Sequence, residues 1–304
     1  MKKYLYLLLF TIFSNTLSAQ LPRLKYDDLH ELNNRILLVD QESFGVLGEQ
    51  IPSLMQDMWQ LHEEVHFKST TEIDSIRSEG SDAYAVLKKD GILLKAQVKV
   101  VSMYTDSTDI GVITYNRIES PPKKVKRSDY LFYLPLIGAK DVDNLATIKL
   151  SLKLMYRHLE YIEERKIPNS FIDFAAKDAS KNSQQICDYK LLISKEQVWR
   201  NGEKKIRKNY SGELDIVSPE TIRSAVINET ENVLVSMGKL QRYQVIGRVK
   251  PDDIGGINTF HFRSFVHPKT AKIYSCSGYF LLSRNISTSF SPIEFKQHSK
   301  KCKK

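Results

Sequence analysis

The chain is poor in cysteine, with three residues (Cys187, Cys276 and Cys302) in 304 positions. So few exclude a disulfide-framed small domain, and none of the spacings suits a pair of metal ligands. In an exported protein two of the three can pair. Cys276 with Cys302 is the expected pair, because Cys187 reads as the start of a buried strand. Phosphate-cradling glycine loops, nucleophile-elbow serines and cysteine-protease signatures are missing too, which removes common fingerprints of nucleotide-binding and hydrolytic enzymes. Gly255-Gly256 is an isolated pair that reads as a turn. No basic stretch is interleaved with aromatics like a base-stacking surface, so no nucleic-acid partner is expected. Beyond the first residues no apolar run is long enough to cross a bilayer, and no membrane span is expected after processing.

What is present begins with the amino terminus. Lys2 and Lys3 precede an apolar run from 4 to 13, then Ser14-Asn15-Thr16, then Leu17-Ser18-Ala19 before Gln20. This is the three-part pattern of a Sec-type signal peptide over residues 1–19, with the cut near Ala19. An uncleaved anchor would need about 20 apolar residues. No cysteine stands at the cut, so lipid attachment is not indicated. A cut just before a glutamine resembles the export signals of the Bacteroidota, which implies a periplasmic or secreted protein.

The full chain is of globular composition, 41% hydrophobic and 27% charged, and after processing it is long enough for two ordinary domains. Its formal net charge is +9, and the surplus is clustered. Lys123, Lys124, Lys126 and Arg127 form one group, Lys204, Lys205, Arg207 and Lys208 a second, and the tail from 296 to 304 a third. Each falls in a turn-rich or terminal segment and is expected to be a solvated loop. The functional reading is attraction to anionic envelope polymers or lipid headgroups.

The organisation reads as an internal duplication. Residues 64–76 overlay residues 213–225 without a gap, and the match continues from 82–86 onto 231–235. Upstream, Ile36-Leu37-Leu38-Val39 matches Lys190-Leu191-Leu192-Ile193 after a slip of a few residues. Each copy predicts a short apolar strand, a helical or turn segment, then a strand of period-two alternation (Val65, Phe67; Leu214, Ile216). That strand ends at Ser69 or Ser218, each placed as a helix N-cap. Glu72 completes a capping box with Ser69, and Pro219 suits the first helical position after Ser218. Longer strands come next: 93–104 with 110–115 in the first copy, and 244–249, 259–266 and 272–282 in the second. Turns at Thr105-Asp106-Ser107 and His267-Pro268-Lys269 are expected to close an antiparallel hairpin in each copy.

Between the copies, Leu145, Ile148, Leu152, Met155, Leu159 and Ile162 recur at spacings of three and four, with lysines and arginines alternating along the stripe. This predicts a helix from 143 to 165, packed on a sheet, most naturally the second. A shorter helix is expected over 171–180, and 178–188 reads as linker. The expected fold is α+β or α/β. Its parts are a first unit (20–140), connecting helices (141–180), a second unit (181–295) and the basic tail.

Small α/β units with serine-capped helices and a closing hairpin resemble the amino-terminal domain of the Tol-system propeller protein and related outer-membrane assembly lipoproteins. The residues that carry this are Trp59 before the 64–69 strand, the helix opened by Thr70, and the string from Val266 to Ile273. In that string Ala271 stands where such proteins usually have glycine. The resemblance implies scaffolding or peptide and protein binding, and it carries over no catalytic residue.

One motif argues for chemistry. His62-Glu63-Glu64-Val65-His66 has the His-Glu-x-x-His spacing of zinc hydrolases. On a helix the two imidazoles would share a face and bind one zinc ion, with Glu63 as general base. Ile51, Leu54, Met55, Met58 and Leu61 keep helical spacing up to it, and His158, His261 or His267 would have to supply a third ligand. Against it, the duplication places Val65-His66-Phe67 on a strand, where the shared face is lost. The expectation is therefore an exported, non-enzymatic protein without cofactor that binds or assembles an envelope protein or anionic polymer. The alternatives are a zinc peptidase using His62, Glu63 and His66, and a secreted protein that contacts anionic surfaces through its basic loops.

Overall fold

The computed structural model describes residues 26–56, 58–79, 83–91, 96–98, 101–105, 108–114, 130–135, 144–167, 171–198, 202–247, 257–282 and 290–301. The signal segment, the cluster at Lys123, Lys124, Lys126 and Arg127, the Gly255-Gly256 pair and Cys302 lie outside the described residues.

The fold is α/β, built on two sheets. In the first, β1 (Ile36–Asp40) runs parallel to both β2 (Val65–Lys68) and β3 (Tyr84–Gly91). Two antiparallel strands extend it, β6 (Thr108–Thr114) and β7 (Tyr130–Pro135), giving the order β2-β1-β3-β6-β7. In the second, β8 (Lys190–Ser194) runs parallel to β9 (Leu214–Val217) and to β10 (Val233–Gly247). The antiparallel strands β11 (Ile257–Val266) and β12 (Ile273–Leu282) lie on the far side of β10. Order and sense thus repeat between the sheets, and so does register. Leu37 faces Val65 as Leu191 faces Leu214, and Ile36 faces Tyr84 as Lys190 faces Val233.

The strands are central and apolar for a physical reason. Parallel strands covered on both faces need continuous hydrophobic runs, and β1 and β8 supply Leu37-Leu38-Val39 and Leu191-Leu192-Ile193, all buried. The helices between them carry their own start signals. In α3 (Thr70–Glu79), the backbone N–H of Glu72 donates to Ser69 Oγ at 3.2 Å, and the N–H of Ser69 donates to Glu72 Oε2 at 2.8 Å. That reciprocal pair is a capping box. It draws the Glu72 carboxyl down to about 2, through the backbone donor of Ser69 first and Lys68 second. Before α7 (Pro219–Ile227), Ser218 Oγ accepts the N–H of Thr221, and Pro219 occupies the first turn.

The remaining helices are α1 (Tyr26–Asn33), α2 (Ile51–Gln56), α4 (Leu145–Arg165), α5 (Phe171–Asn182), α6 (Glu203–Asn209) and α8 (Pro292–Lys301). Helix α4 starts at Asn144, whose side chain accepts the N–H of Ala146 at 2.8 Å, and stops at Lys166 in a left-handed conformation. It does not belong to the second sheet alone. Ile148, Leu152, Met155 and Leu159 share one core with Val39, Ala85 and Leu87 of the first sheet and with Leu192, Val235 and Val266 of the second. A helix that is apolar over a broad arc can cover two surfaces at once. The far face of the second sheet is closed by Phe290 and by Phe295 of α8, and that of the first by Ile73 of α3.

Three other expectations are corrected. Asp106 and Ser107 lie outside the described residues, and the strands on either side of them do not form the expected hairpin: β4 (Ala96–Val98) and β5 (Val101–Thr105) pair with each other, and β5 joins β10 of the second sheet, while β6 pairs with β3. Alternation within a strand cannot report which sheet receives it. Residues 178–188 are not linker, since α5 runs to Asn182 and a 3₁₀ segment covers Ser183–Asp188. Finally, Cys187 lies in that 3₁₀ segment and is disulfide-bonded, whereas Cys276 is a free thiol, so Cys276 and Cys302 are not paired. Partial burial pushes the Cys276 thiol up to about 12, and a protonated thiol is a poor nucleophile. Nonreducing peptide mapping is expected to return Cys187 in a disulfide, and Cys276 slower to alkylate in the folded protein than after denaturation.

Candidate functional site

The zinc motif comes apart at its centre. Helix α2 ends at Gln56, residues 61–64 are irregular, and His66 lies on β2. His62 is buried, stacked on Trp59, and its Nδ1 accepts the indole N–H at 3.0 Å. His66 is exposed and 3.3 Å from Glu64. The two imidazoles therefore share no helical face. His158 is sealed between Phe171 and Phe174, and His267 accepts the N–H groups of Lys269 and Thr270 to hold a turn. Among the described residues, no group of three or more His, Cys, Asp or Glu side chains could hold a metal. The serines at 69 and 218 are occupied in capping, and Lys204, Lys205, Arg207 and Lys208 are exposed on α6, a short helix and not a loop. Arg207 is partly spent on Glu203 at 3.1 Å and on the carbonyl of Leu214.

The structure instead opens a groove of about 780 Å³ along α4. One wall is α2 with its flanking residues (Gln50, Ser53, Leu54, Met58); the other is the end of α7 and the β11–β12 turn (Glu229, Lys269, Thr270). Its floor is α4, which presents Lys149, Lys153 and Arg157 at intervals of four, one above another on a single face.

Glu229 organises the cations. Its Oε1 lies 2.8 Å from Lys149 Nζ and 2.7 Å from Lys153 Nζ, and both lysine side chains are largely buried (14% and 13% exposed). Lys149 also donates to the carbonyl of Ile227 and Lys153 to that of Lys269. Burial pushes the Lys153 ammonium down, against the pull of Glu229. Burial also pushes the Glu229 carboxyl up, but the hydrogen bonds from Lys149 and Lys153 outweigh it and hold it below its usual range. The backbone of Glu229 has a cost of its own. The N–H of Thr230 donates to Ala225 and that of Glu229 to Val226, which is a Schellman close of α7. Its left-handed position, normally glycine, is held by Glu229 with φ of 51°. An L-residue there costs about 1–2 kcal/mol. The cost is kept where its carboxylate spans two lysines.

Further along, Arg157 forms a two-pronged pair with Asp178 (2.7 and 3.0 Å) and donates to the carbonyl of Ala271. Tyr156, edge-on to Trp59, bonds Glu160; burial and this neighbour raise the phenol, and burial raises the Glu160 carboxyl. The groove thus carries cations from Lys149 to Arg157, a hydroxyl and a carboxyl at Tyr156 and Glu160, and an apolar lining of Leu54, Met58 and Leu145.

In sequence, only the spacing of Lys149, Lys153 and Arg157 along a helix pointed here; Glu229 and Asp178 carried no local signal. No protein-family model matches the chain, no curated protein matches it, and no solved structure matches it.

Proposed function

We propose that this chain is an exported, non-enzymatic binding protein, an adaptor or assembly component of a cell envelope. In this reading it holds an anionic segment of an envelope protein or polymer in the groove along α4. One observation carries the reading: two largely buried ammonium groups share a single carboxylate oxygen at the floor of an open groove. Each ammonium has three donors and spends two within the protein. The third of each, and one unbalanced charge, remain for a ligand. Charges taken out of water are costly unless paired, so an incoming carboxylate or phosphate gains what the protein has not itself supplied. We infer an internal duplication as its origin, since strand order, pairing sense and register repeat between the two sheets. Export rests on the amino-terminal sequence pattern.

A photocrosslinker at Ser53, on the exposed rim, is expected to capture one reproducible envelope partner in cells. Lys153→Gln should cut that capture about tenfold or more while the chain stays folded, as loss of a desolvated charge contact does. Capture that ignores Lys153 but depends on Lys204, Lys205 and Lys208 would assign binding to the exposed basic helix α6 instead. No reproducible partner would end the adaptor reading.

A further inference from the structure

On a neighbouring face of α4 a second, smaller cavity sits at the carboxyl ends of the parallel strands β8 and β9 of the second sheet. Ala146, Thr147 and Leu150 of α4 roof it; Ser194, Gln197, Ser236 and the first turns of α7 line it. Its volume of about 60 Å³ admits about four to six water-sized groups at 10–15 Å³ each. In α/β sheets such crevices at strand ends are where ligands bind. Here the crevice is also a notch. Beyond Val235, β10 outruns its pairing with β8, and β5 joins that strand from Tyr243 onward.

The lining is chemically incomplete. Ser194 and Gln197 are 5% and 6% exposed, yet among the described residues Ser194 Oγ and Gln197 Oε1 have no hydrogen-bond partner. Ser236 Oγ accepts the N–H of Ser194 at 2.9 Å, and its own proton is available to the cavity. Buried polar atoms without partners are rare, and each calls for a physical reason.

The first sheet supplies the comparison. Asp40 closes β1 at the register where Ser194 closes β8, since Asp40 faces Lys68 as Ser194 faces Val217. Asp40 Oδ1 accepts Thr70 Oγ1 at 2.8 Å and the N–H of Ser43 at 3.2 Å, so a buried carboxylate fills that strand end from within. In the second sheet the carboxylate is replaced by a hydroxyl, Thr70 by Pro219 and Ser43 by Gln197. Arg223, which lies 3.6 Å from the exposed Glu220, also lines the cavity.

We propose that this strand-end cavity binds a carboxylate from outside, in the place that Asp40 fills in the first sheet. Ser194 and Ser236 donate their hydroxyl protons to it, the Gln197 amide turns its N–H₂ inward to donate a third bond, and Arg223 supplies the positive charge. A free small acid and the carboxyl end of a peptide share this chemistry.

The test uses residues 20–304 and three probes: acetate, N-acetyl-Ala-Ala with a free carboxyl, and the same dipeptide amidated. Binding is read by amide chemical-shift changes and by melting temperature. Acetate or the free-acid dipeptide is expected to shift resonances of Ser194, Gln197 and Ser236 saturably, and the amide not at all. A dipeptide tenfold tighter than acetate would mark a chain terminus as ligand, and equal or weaker binding a small acid. Ser194→Asp should raise the melting temperature without ligand and abolish the response, because it places the carboxylate internally. Ser194→Ala should weaken acetate about tenfold. No saturable shift with either acid, or an undiminished response in both variants, would overturn the site.

Discussion

Replacing Asp178 by alanine is expected to remove about 3–5 kcal/mol of stability, the range for breaking a desolvated ion pair from one side. The side chain of Asp178 is 9% exposed and makes three bonds that tie three parts of the fold together: two to Arg157 of α4 and one, at 2.8 Å, to the N–H of Ile273 at the start of β12. Alanine strands two guanidinium donors and a backbone N–H together. Arg157 keeps the Ala271 carbonyl and is 22% exposed, so water recovers part of the loss and the lower end of the range is expected. A chain of this size loses about 2–4 °C of melting temperature per kcal/mol, which makes a drop of roughly 10 °C measurable by calorimetry. Asp178→Asn retains an acceptor for Ile273 and should lose about half as much. A fall below about 1 kcal/mol in urea unfolding of the alanine variant would show that the clamp is not what fixes α4 against the second sheet.

The clamp also shows where the sequence was legible. Strands β1, β2, β8 and β9, helices α3, α4 and α7, and the serine caps are written locally, in runs of apolar residues and in a capping residue at a fixed offset. They appear near where the pattern put them. What pattern could not report was pairing over distance. Asp178 sits in a polar stretch rich in Ser, Asn, Gln and Lys, indistinguishable from linker until Arg157 and β12 are brought to it. Asn182, in the same stretch, donates to the carbonyl of Ile273 at 3.0 Å. Glu229 reaches two lysines more than 75 positions away, from a backbone conformation that propensity alone assigns to glycine. The crossing of β5 to the second sheet is likewise set by tertiary pairing. The zinc motif failed for the converse reason: its spacing is meaningful only on a helix, and the helix ends before it.

The groove and the strand-end cavity lie on neighbouring faces of α4, and this helix supports both. Leu145 and Lys149 face the groove, while Ala146, Thr147 and Leu150 face the cavity. A change in how α4 seats on the second sheet is therefore felt at both places. What holds that seat is α7 below Lys149 and Lys153, and the aromatic packing around His158 above.

That packing is expected to make stability fall in mild acid. His158 is fully buried, stacked on Phe174 at 5.1 Å and edge-on to Phe171 at 5.9 Å, and burial holds its imidazole down to about 3. His298 of α8, against Phe265 and Phe295, is held down to about 4 by burial and by Lys301. In the unfolded chain both take a proton near pH 6.5. Between that value and the folded ones the unfolded state binds more protons, so stability rises with pH there and is lost as pH falls. Above about pH 7 both rings are neutral in either state and the contribution is complete. From pH 6.5 to 5, two imidazoles together cost about 3 kcal/mol, because the slope reaches its full value of about 1.4 kcal/mol per pH unit each only below the unfolded value. Set against a typical 5–15 kcal/mol, that is a sizeable share of the total stability. Urea midpoints measured across this window should fall steeply in the natural chain. In His158→Phe, which keeps the ring stack without the titrating nitrogen, the slope should be about half. A flat profile from pH 6.5 to 5 would mean that water or a counter-charge reaches these rings, and that α4 and α8 are seated more loosely than their packing implies.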